Sequence, residues 1–339
     1  MKAMVYQGGG HFAVENVPAP QIKRNDDVII KVLVCSICGT DVNMAAPTST
    51  KDMRGHIFGH EIVGEIVEMG PAVQGLEIGD RVVVNPNYYC SNCAMCRSGL
   101  QNHCLNMELM GITHPGGFAE YVCSNAKMVF PISKELPLKY AVFAEPLACA
   151  CNGFSKLATR VEGSLLQIGC GPIGLMFAQM ARAAGEKVLC LEPADFRRNK
   201  AIALGFEAMS PFEDNIGDKI NEYFGRRPEI IIDAAGGQVA KAIEYAGFRA
   251  QILCFASPRS VKAETSLAGI QGKELTIRGS FIIDNTMPRA IELLESRRLQ
   301  LDELITHVLP LEKLEEGMAL MKSGEGMEII LTIGSDNVD

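Results

Sequence analysis

An apolar run, Ser164-Leu165-Leu166-Gln167-Ile168, passes directly into Gly169-Cys170-Gly171-Pro172-Ile173-Gly174 and then into Leu175-Met176. A strand that turns through Gly-x-Gly-x-x-Gly into a helix commits the chain to a βα unit. Gly169 would allow the tight bend, Gly171 would let a pyrophosphate approach the backbone, and Gly174 would let helix pack on strand, with Pro172 and Ile173 of the same turn counted among the cofactor-binding residues. Alone, the pattern is equally a glycine-rich turn that binds nothing. Its surroundings favour a ligand. Residues 176–184 have helix-former composition, residues 187–191 read as a buried parallel strand, and Glu192 stands at that strand's carboxyl end, where a ribose 2′-hydroxyl needs an acceptor. A carboxylate there repels a 2′-phosphate, so NAD is expected over NADP. Further strands at 229–233 and 250–256 flank a helix at 239–246, which predicts a doubly wound parallel sheet. Amphipathic helices are expected at 287–297 and 311–321, and a closing strand at 328–333.

The first ninety residues read differently. Period-two and apolar runs at 27–34 and 61–67, broken by Gly and Pro, predict short strands in close succession and a small barrel. Two segments in this region are poor strands but rich in ligand atoms: Cys35-Ser36-Ile37-Cys38-Gly39-Thr40-Asp41 and His56-Ile57-Phe58-Gly59-His60-Glu61. Next come Cys90, Cys93, Cys96 and Cys104, spaced C-x2-C-x2-C-x7-C on a polar loop, which matches a closed four-thiolate zinc site with no position left for substrate. A metal-free cluster would suffer repulsion and oxidation among its thiols. A nucleic-acid zinc ribbon is disfavoured by the short spacing and the lack of a basic stripe.

At 339 residues the chain exceeds the size at which single cores stop growing, so two domains are expected. The net charge of −8 argues against nucleic acid or an anionic membrane as partner. No secretory pattern or spanning apolar run is present, so a cytoplasmic protein is expected, with its twelve cysteines serving as ligands or buried thiols.

Taken together, Cys38-Gly39-Thr40-Asp41, Gly59-His60-Glu61, the Cys90/Cys93/Cys96/Cys104 lobe, Phe143-Ala144-Glu145-Pro146-Leu147, the Gly169–Gly174 turn and Asn285-Thr286-Met287-Pro288 resemble the zinc-dependent medium-chain dehydrogenase/reductase family, in particular its sorbitol (polyol) and threonine dehydrogenase branch. The resemblance implies a GroES-like β-barrel catalytic domain over residues 1–148, a Rossmann domain over 149–283, and a return of 284–339 to the first domain, with the active site between domains. It also implies two zinc ions and NAD, a small alcohol or ketone as substrate, and a homodimer or homotetramer.

For the site, the resemblance implies that Cys38 and His60 ligate a catalytic zinc, with Glu61 and Glu145 both open as third ligand. Thr40 takes the role of the proton-relaying hydroxyl. The histidine that often continues the relay is replaced by Asn43, so the relay would run through cofactor hydroxyls and water, or through a group such as His56. Arg197 is similar to the family's arginine near the adenosine ribose. Cys254-Phe255-Ala256 and Ser280-Phe281-Ile282 look like the stretches along the nicotinamide. Sorbitol dehydrogenases carry an arginine where Ile282 stands and a tyrosine where Met44 stands, so a less hydroxylated alcohol, or a different set of reading residues, is implied. The expected activity is hydride transfer between a secondary alcohol, polyol or sugar-derived alcohol and NAD. The alternatives are a threonine-type amino-alcohol dehydrogenase and a catalytically silent NAD-binding zinc protein.

Overall fold

The computed structural model describes residues 1–46, 52–256, 261–334 and 338–339. The chain opens with a hairpin of β1 (Lys2–Gly8) and β2 (His11–Asn16), closed by Gly9 and Gly10 at φ +64° and +91°, the left-handed pair that a two-residue hairpin turn requires. Tyr6, Phe12 and Phe58 pack beneath it with ring centroids 5.1–5.4 Å apart. There follow β3 (Asp27–Ser36), β4 (Glu61–Met69), β5 (Arg81–Val84), a small ribbon of β6 (Asn87–Tyr88) and β7 (Glu108–Leu109), β8 (Tyr121–Asn125) and β9 (Val129–Pro131).

After the helix Ala144–Phe154 the pattern alternates strand and helix: β10 (Ser164–Ile168), β11 (Lys187–Leu191), β12 (Glu207–Met209), β13 (Ile230–Asp233), β14 (Gln251–Cys254) and β15 (Thr276–Gly279). These six parallel strands form one sheet in the order β12-β11-β10-β13-β14-β15. The order reverses between β10 and β13, and in such sheets the crevice beyond the strand ends at that reversal receives ligands. All of β10 is buried, as expected for a strand covered on both faces. The tail adds β16 (Ile305–Pro310) and β17 (Glu328–Thr332). β17 pairs with β3, giving a seven-stranded, mostly antiparallel sheet ordered β16-β17-β3-β4-β5-β9 with β8 also on β3.

Contacts divide the chain into two compact units, one of Met1–Ala148, Ile283–Arg298 and Ile305–Asp339, the other of Cys149–Ile282 and Leu299–Leu304. The architecture is mixed α/β, an antiparallel β unit and a doubly wound parallel-sheet unit.

Local boundaries differ from the sequence reading where caps decide them. The helix after the glycine turn starts at Pro172 rather than 176, because Gly171 is its N-cap and Pro172 presets helical φ in the first turn. The stretch at 311–321 divides into a 3-10 turn, Leu311–Lys313, and a helix, Leu314–Ser323, that ends on Gly324 at φ +83°. β12, β15 and β16 were not visible in the pattern; β15 is exposed along its whole length, so it carries no burial alternation. Among the described residues no helix is long and apolar enough to cross a membrane.

Candidate active site

In the first unit, β3 ends at Ser36 and the helix Gly39–Ala45 begins three residues later with Cys38 as its N-cap. Asp41, fully buried, ties this turn to the loop before β4. Its Oδ2 accepts the Cys38 N–H at 3.0 Å, its Oδ1 accepts the Gly59 N–H at 3.3 Å, and Oδ1 lies 3.5 Å from His60 Nδ1. Gly59 is required here. Its φ is +92°, and a Cβ would sit 2.6 Å from the Phe118 ring and 3.0 Å from Cys35 Sγ. Glu61 opens β4 directly opposite Ser36, whose hydroxyl donates to Glu61 Oε2.

The result is a buried trio, Cys38, His60 and Glu61, whose ligand atoms all lie within 4.8 Å of one another. Burial, then the nearby Glu61 charge, pushes the Cys38 thiol up to about 11. Burial also raises Glu61. Burial pulls His60 down, but the charges of Asp41 and Cys38 outweigh it and hold the imidazole well above its ordinary value. Each anionic ligand is thus destabilised by missing positive charge, and a divalent cation would supply it. A thiolate, an imidazole whose Nδ1 faces a carboxylate, and a carboxylate form a donor set that suits zinc with one position open. Thr40 is exposed on the first turn of the same helix.

Glu145 lies outside the trio. It is 9 % exposed in the first turn of the helix Ala144–Phe154, and its charge acts on Glu328. Glu328, on β17, is buried and held well above the usual carboxylate range by burial and the Glu61 charge.

The loop after β6 folds Cys90, Cys93, Cys96 and Cys104 into a second cluster within 4.8 Å. Sulfur pairs 90/96 and 93/104 stand 4.0 and 3.9 Å apart, close to the roughly 3.8 Å edge of a tetrahedron with Zn–S bonds of about 2.3 Å. Backbone N–H groups of Cys90, Cys93 and Asn106 each donate to a cluster sulfur at 3.3 Å. The Asn92 N–H, with the Asn106 side chain behind it, pulls the Cys90 thiol down to about 6.

In the second unit, the three glycines of the turn meet different surroundings. Gly169 has φ +90°, and a Cβ there would press on Ala235 at 3.0 Å. A Cβ on Gly174 would lie 2.0 Å from the Gly169 carbonyl, so only glycine lets the helix approach. A Cβ on Gly171 would meet nothing within 4 Å; it faces open space at the N-terminus of the helix Pro172–Ala183, where Ile173 is half-buried. Glu192 is 4 % exposed, and its carboxylate accepts the Cys170 N–H at 2.8 Å and the Ala194 N–H at 3.1 Å. It therefore shapes the glycine turn as well as standing at the strand end. Arg197 is half-buried, with Nε lacking a protein partner.

After β14, Cys254, Phe255 and Ala256 are half-buried. The Phe255 and Ala256 N–H groups donate to the Asp233 carbonyl, and the Phe255 ring packs edge-on against Phe177 at 4.9 Å. Beyond β15, Ser280 Oγ is buried without a protein partner, Phe281 is 55 % exposed and Ile282 is half-buried.

Residues 24–134 match the model of the alcohol dehydrogenase GroES-like domain, and residues 172–296 match that of the zinc-binding dehydrogenases. An L-threonine 3-dehydrogenase of Pyrococcus horikoshii is 31 % identical over 96 % of this chain and 95 % of its own. The chain belongs to the zinc-binding alcohol dehydrogenase family. D-arabinitol dehydrogenase 1 of Uromyces fabae is also 31 % identical, over 97 % and 96 % of the two chains. An alcohol dehydrogenase of Escherichia coli CFT073, solved with NADH, superposes with a TM-score of 0.90 at 27 % identity, covering 98 % and 99 %.

Several residues of these sites were missed in the sequence. Asp41, Ser36 and Asp233 are buried donors or acceptors tied to Cys38, Glu61 and the segment after β13 respectively, and Glu328 is a buried carboxyl on β17. Asp233, 1 % exposed, accepts the N–H groups of Ala235, Gly236 and Gln238. An acid at a strand end just before glycines was a readable signal for Asp233. Glu328 had none, since it is buried through the pairing of β17 with β3, segments far apart in the chain.

Proposed function

We propose that this protein is a zinc-dependent dehydrogenase that moves a hydride between a small secondary alcohol, polyol or sugar-derived alcohol and NAD, yielding the ketone. The buried Cys38–His60–Glu61 trio backed by Asp41 carries this reading. When bound, zinc lowers the pKa of a hydroxyl it holds and NAD takes up hydride. Cys38 and His60 hold the metal, and Glu61 supplies the third ligand in preference to Glu145, because only Glu61 stands in the trio. Asp41, whose Oδ1 lies 3.5 Å from His60 Nδ1, would favour a ring orientation that leaves the other nitrogen for the metal. Thr40 carries the substrate proton away. The Cys90/Cys93/Cys96/Cys104 lobe holds a second, structural zinc.

In the second unit, Gly169, Gly171 and Gly174 with Pro172 and Ile173 receive the pyrophosphate on a helix N-terminus. Glu192 accepts the adenosine ribose hydroxyls, with Arg197 beside it. The stretches 254–256 and 280–282 run along the nicotinamide half, where the unpartnered Ser280 Oγ offers a polar contact.

The exposed edge strand β15, with Ile277 at 37 % and Leu267 nearby at 78 % exposure, supports a homodimer or homotetramer in which a second copy covers the edge. Four cysteines gathered as zinc ligands, with others buried in apolar strands, support a reducing, cytoplasmic setting.

The test is a panel of polyols, simple secondary alcohols and threonine, read by NADH absorbance with zinc quantified on the same sample. Turnover of a polyol or secondary alcohol with two zincs per chain is expected. Turnover of threonine alone would make the enzyme an amino-alcohol dehydrogenase, and one zinc with no turnover of any alcohol would overturn the reading. Glu61→Gln is expected to weaken retention of one zinc about tenfold or more, and Glu145→Gln to leave it near wild type; the reverse result would exchange their roles.

A further inference from the structure

One buried polar side chain has no part in the chemistry above. Asn152, on the helix Ala144–Phe154, is 2 % exposed. Its Nδ2 donates to two consecutive carbonyls, Phe281 O at 3.1 Å and Ile282 O at 2.6 Å. Lys156, in the turn just beyond the helix, donates from Nζ to Asn152 Oδ1 at 2.8 Å. The amide is thereby oriented, since its acceptor is taken by an ammonium and its donors face residues 281–282. An aspartate in this place would set a carboxylate against two carbonyl oxygens.

What the amide grips is strained. Ile282 has φ +40°, and it is the only β-branched residue with positive φ among the described residues. Such a residue keeps a left-handed backbone only where its surroundings impose it. The sheet cannot impose it here, because β15 ends at Gly279. Immediately before the strained residue, Ser280 Oγ is buried with no protein partner. A turn pinned against its own preference, next to a buried hydroxyl left open, has the marks of a surface shaped for a ligand rather than for packing.

We propose that Asn152 is a positioning residue for the nicotinamide half of the cofactor: by gripping the Phe281 and Ile282 carbonyls it holds residues 280–282 in the shape that receives the nicotinamide carboxamide. This rests on the assignment of those residues to the cofactor in the preceding section. Asn152 touches no substrate or cofactor; it acts through the backbone it holds.

The experiment compares wild type, Asn152→Ala and the isosteric Asn152→Asp by calorimetric titration with NADH and with ADP-ribose, which shares the adenosine and pyrophosphate but lacks nicotinamide. Thermal melting on the same samples shows whether each variant is folded. Wild type is expected to bind NADH more tightly than ADP-ribose. Both variants should lose NADH affinity by about tenfold, the Asp variant at least as much as the Ala, with ADP-ribose affinity within twofold of wild type. A wild-type preference for NADH that survives in both variants would overturn the proposal. So would an equal loss for both ligands, which would make Asn152 a general support of the fold. If one variant fails to fold, the other decides by the same ratio. A wild type that binds NADH no better than ADP-ribose would overturn the cofactor assignment itself, and the positioning role with it.

Discussion

The two thiol clusters of the first unit solve opposite problems. The Cys90 lobe draws four cysteines from fifteen consecutive positions, and backbone N–H groups point at its sulfurs; Cys90 is pulled down to about 6 and Cys93 is lowered as well, while burial and the neighbouring thiols push Cys96 up to about 12. The Cys38 site takes three unlike ligands from two separate segments and buries them near a further carboxylate, Asp41; burial first, and then the Glu61 charge, pushes the Cys38 thiol up to about 11. The first site is prepared for a metal by local hydrogen bonds. The second demands a metal because burial and like charge make its ligands unstable as anions without one. That difference suits a closed structural centre on one side and a reactive centre on the other.

Breaking each site separately should give different losses. The largest effect is expected from Cys38→Ser or His60→Ala: activity should fall at least about a thousandfold while zinc content drops from two per chain to one, measured by initial rates and metal analysis on the same protein. Melting temperature should stay within a few degrees of wild type. Cys93→Ser should do the converse, lowering the melting temperature by roughly 5–10 °C in a calorimetric scan, with activity lost in step with folded protein. If Cys93→Ser leaves stability unchanged, the lobe is not a structural centre.

After chelation, the pH profile of alkylation sharpens the contrast. Cys90 should react with iodoacetamide with a midpoint near pH 6, and Cys38 only with a midpoint near 11, read by peptide mass spectrometry. The sign for stability follows. Cys38 in the folded apo protein keeps a proton that the unfolded chain releases above the ordinary thiol value of 9.0, so its burial lowers apo stability as pH rises from about 9 to about 11. Cys90 is depressed, so its contribution is present above the ordinary value and is lost as pH falls toward 6. Equal midpoints for the two thiols would remove the distinction. A smaller effect is expected in the second unit. Glu192→Gln should weaken NAD binding about tenfold in a fluorescence titration and narrow the gap to NADP, since the lost charge no longer repels a 2′-phosphate. Tighter binding of NADP than NAD by wild type would refute the role given to Glu192.

Much of this was legible in the chain. Local features carry their own geometry: the spacing of Cys90, Cys93, Cys96 and Cys104, the apolar strand into Gly169, and the acid closing the strand at Glu192 each hold within about twenty residues. The sequence also named Cys38, His60 and Glu61, but left Glu61 and Glu145 undivided. Both are acids next to plausible ligand positions, and only distance separates them. Edge strand β15 and the tail strand β16 escaped because an exposed or half-buried strand shows no alternation to read.

By itself, then, the sequence determined the ligand types, the glycine turn and the alternation that makes a parallel sheet, because these depend on short-range sterics and on the chemistry of single residues. The tertiary structure decided that Glu61 stands beside Cys38 and His60, that Asp41 Oδ1 lies 3.5 Å from the imidazole, that β17 lies beside β3, and that Asn152 grips a strained turn 130 residues away. Those are pairings between distant segments brought together by burial, and a buried polar group finds its partner wherever the fold places one.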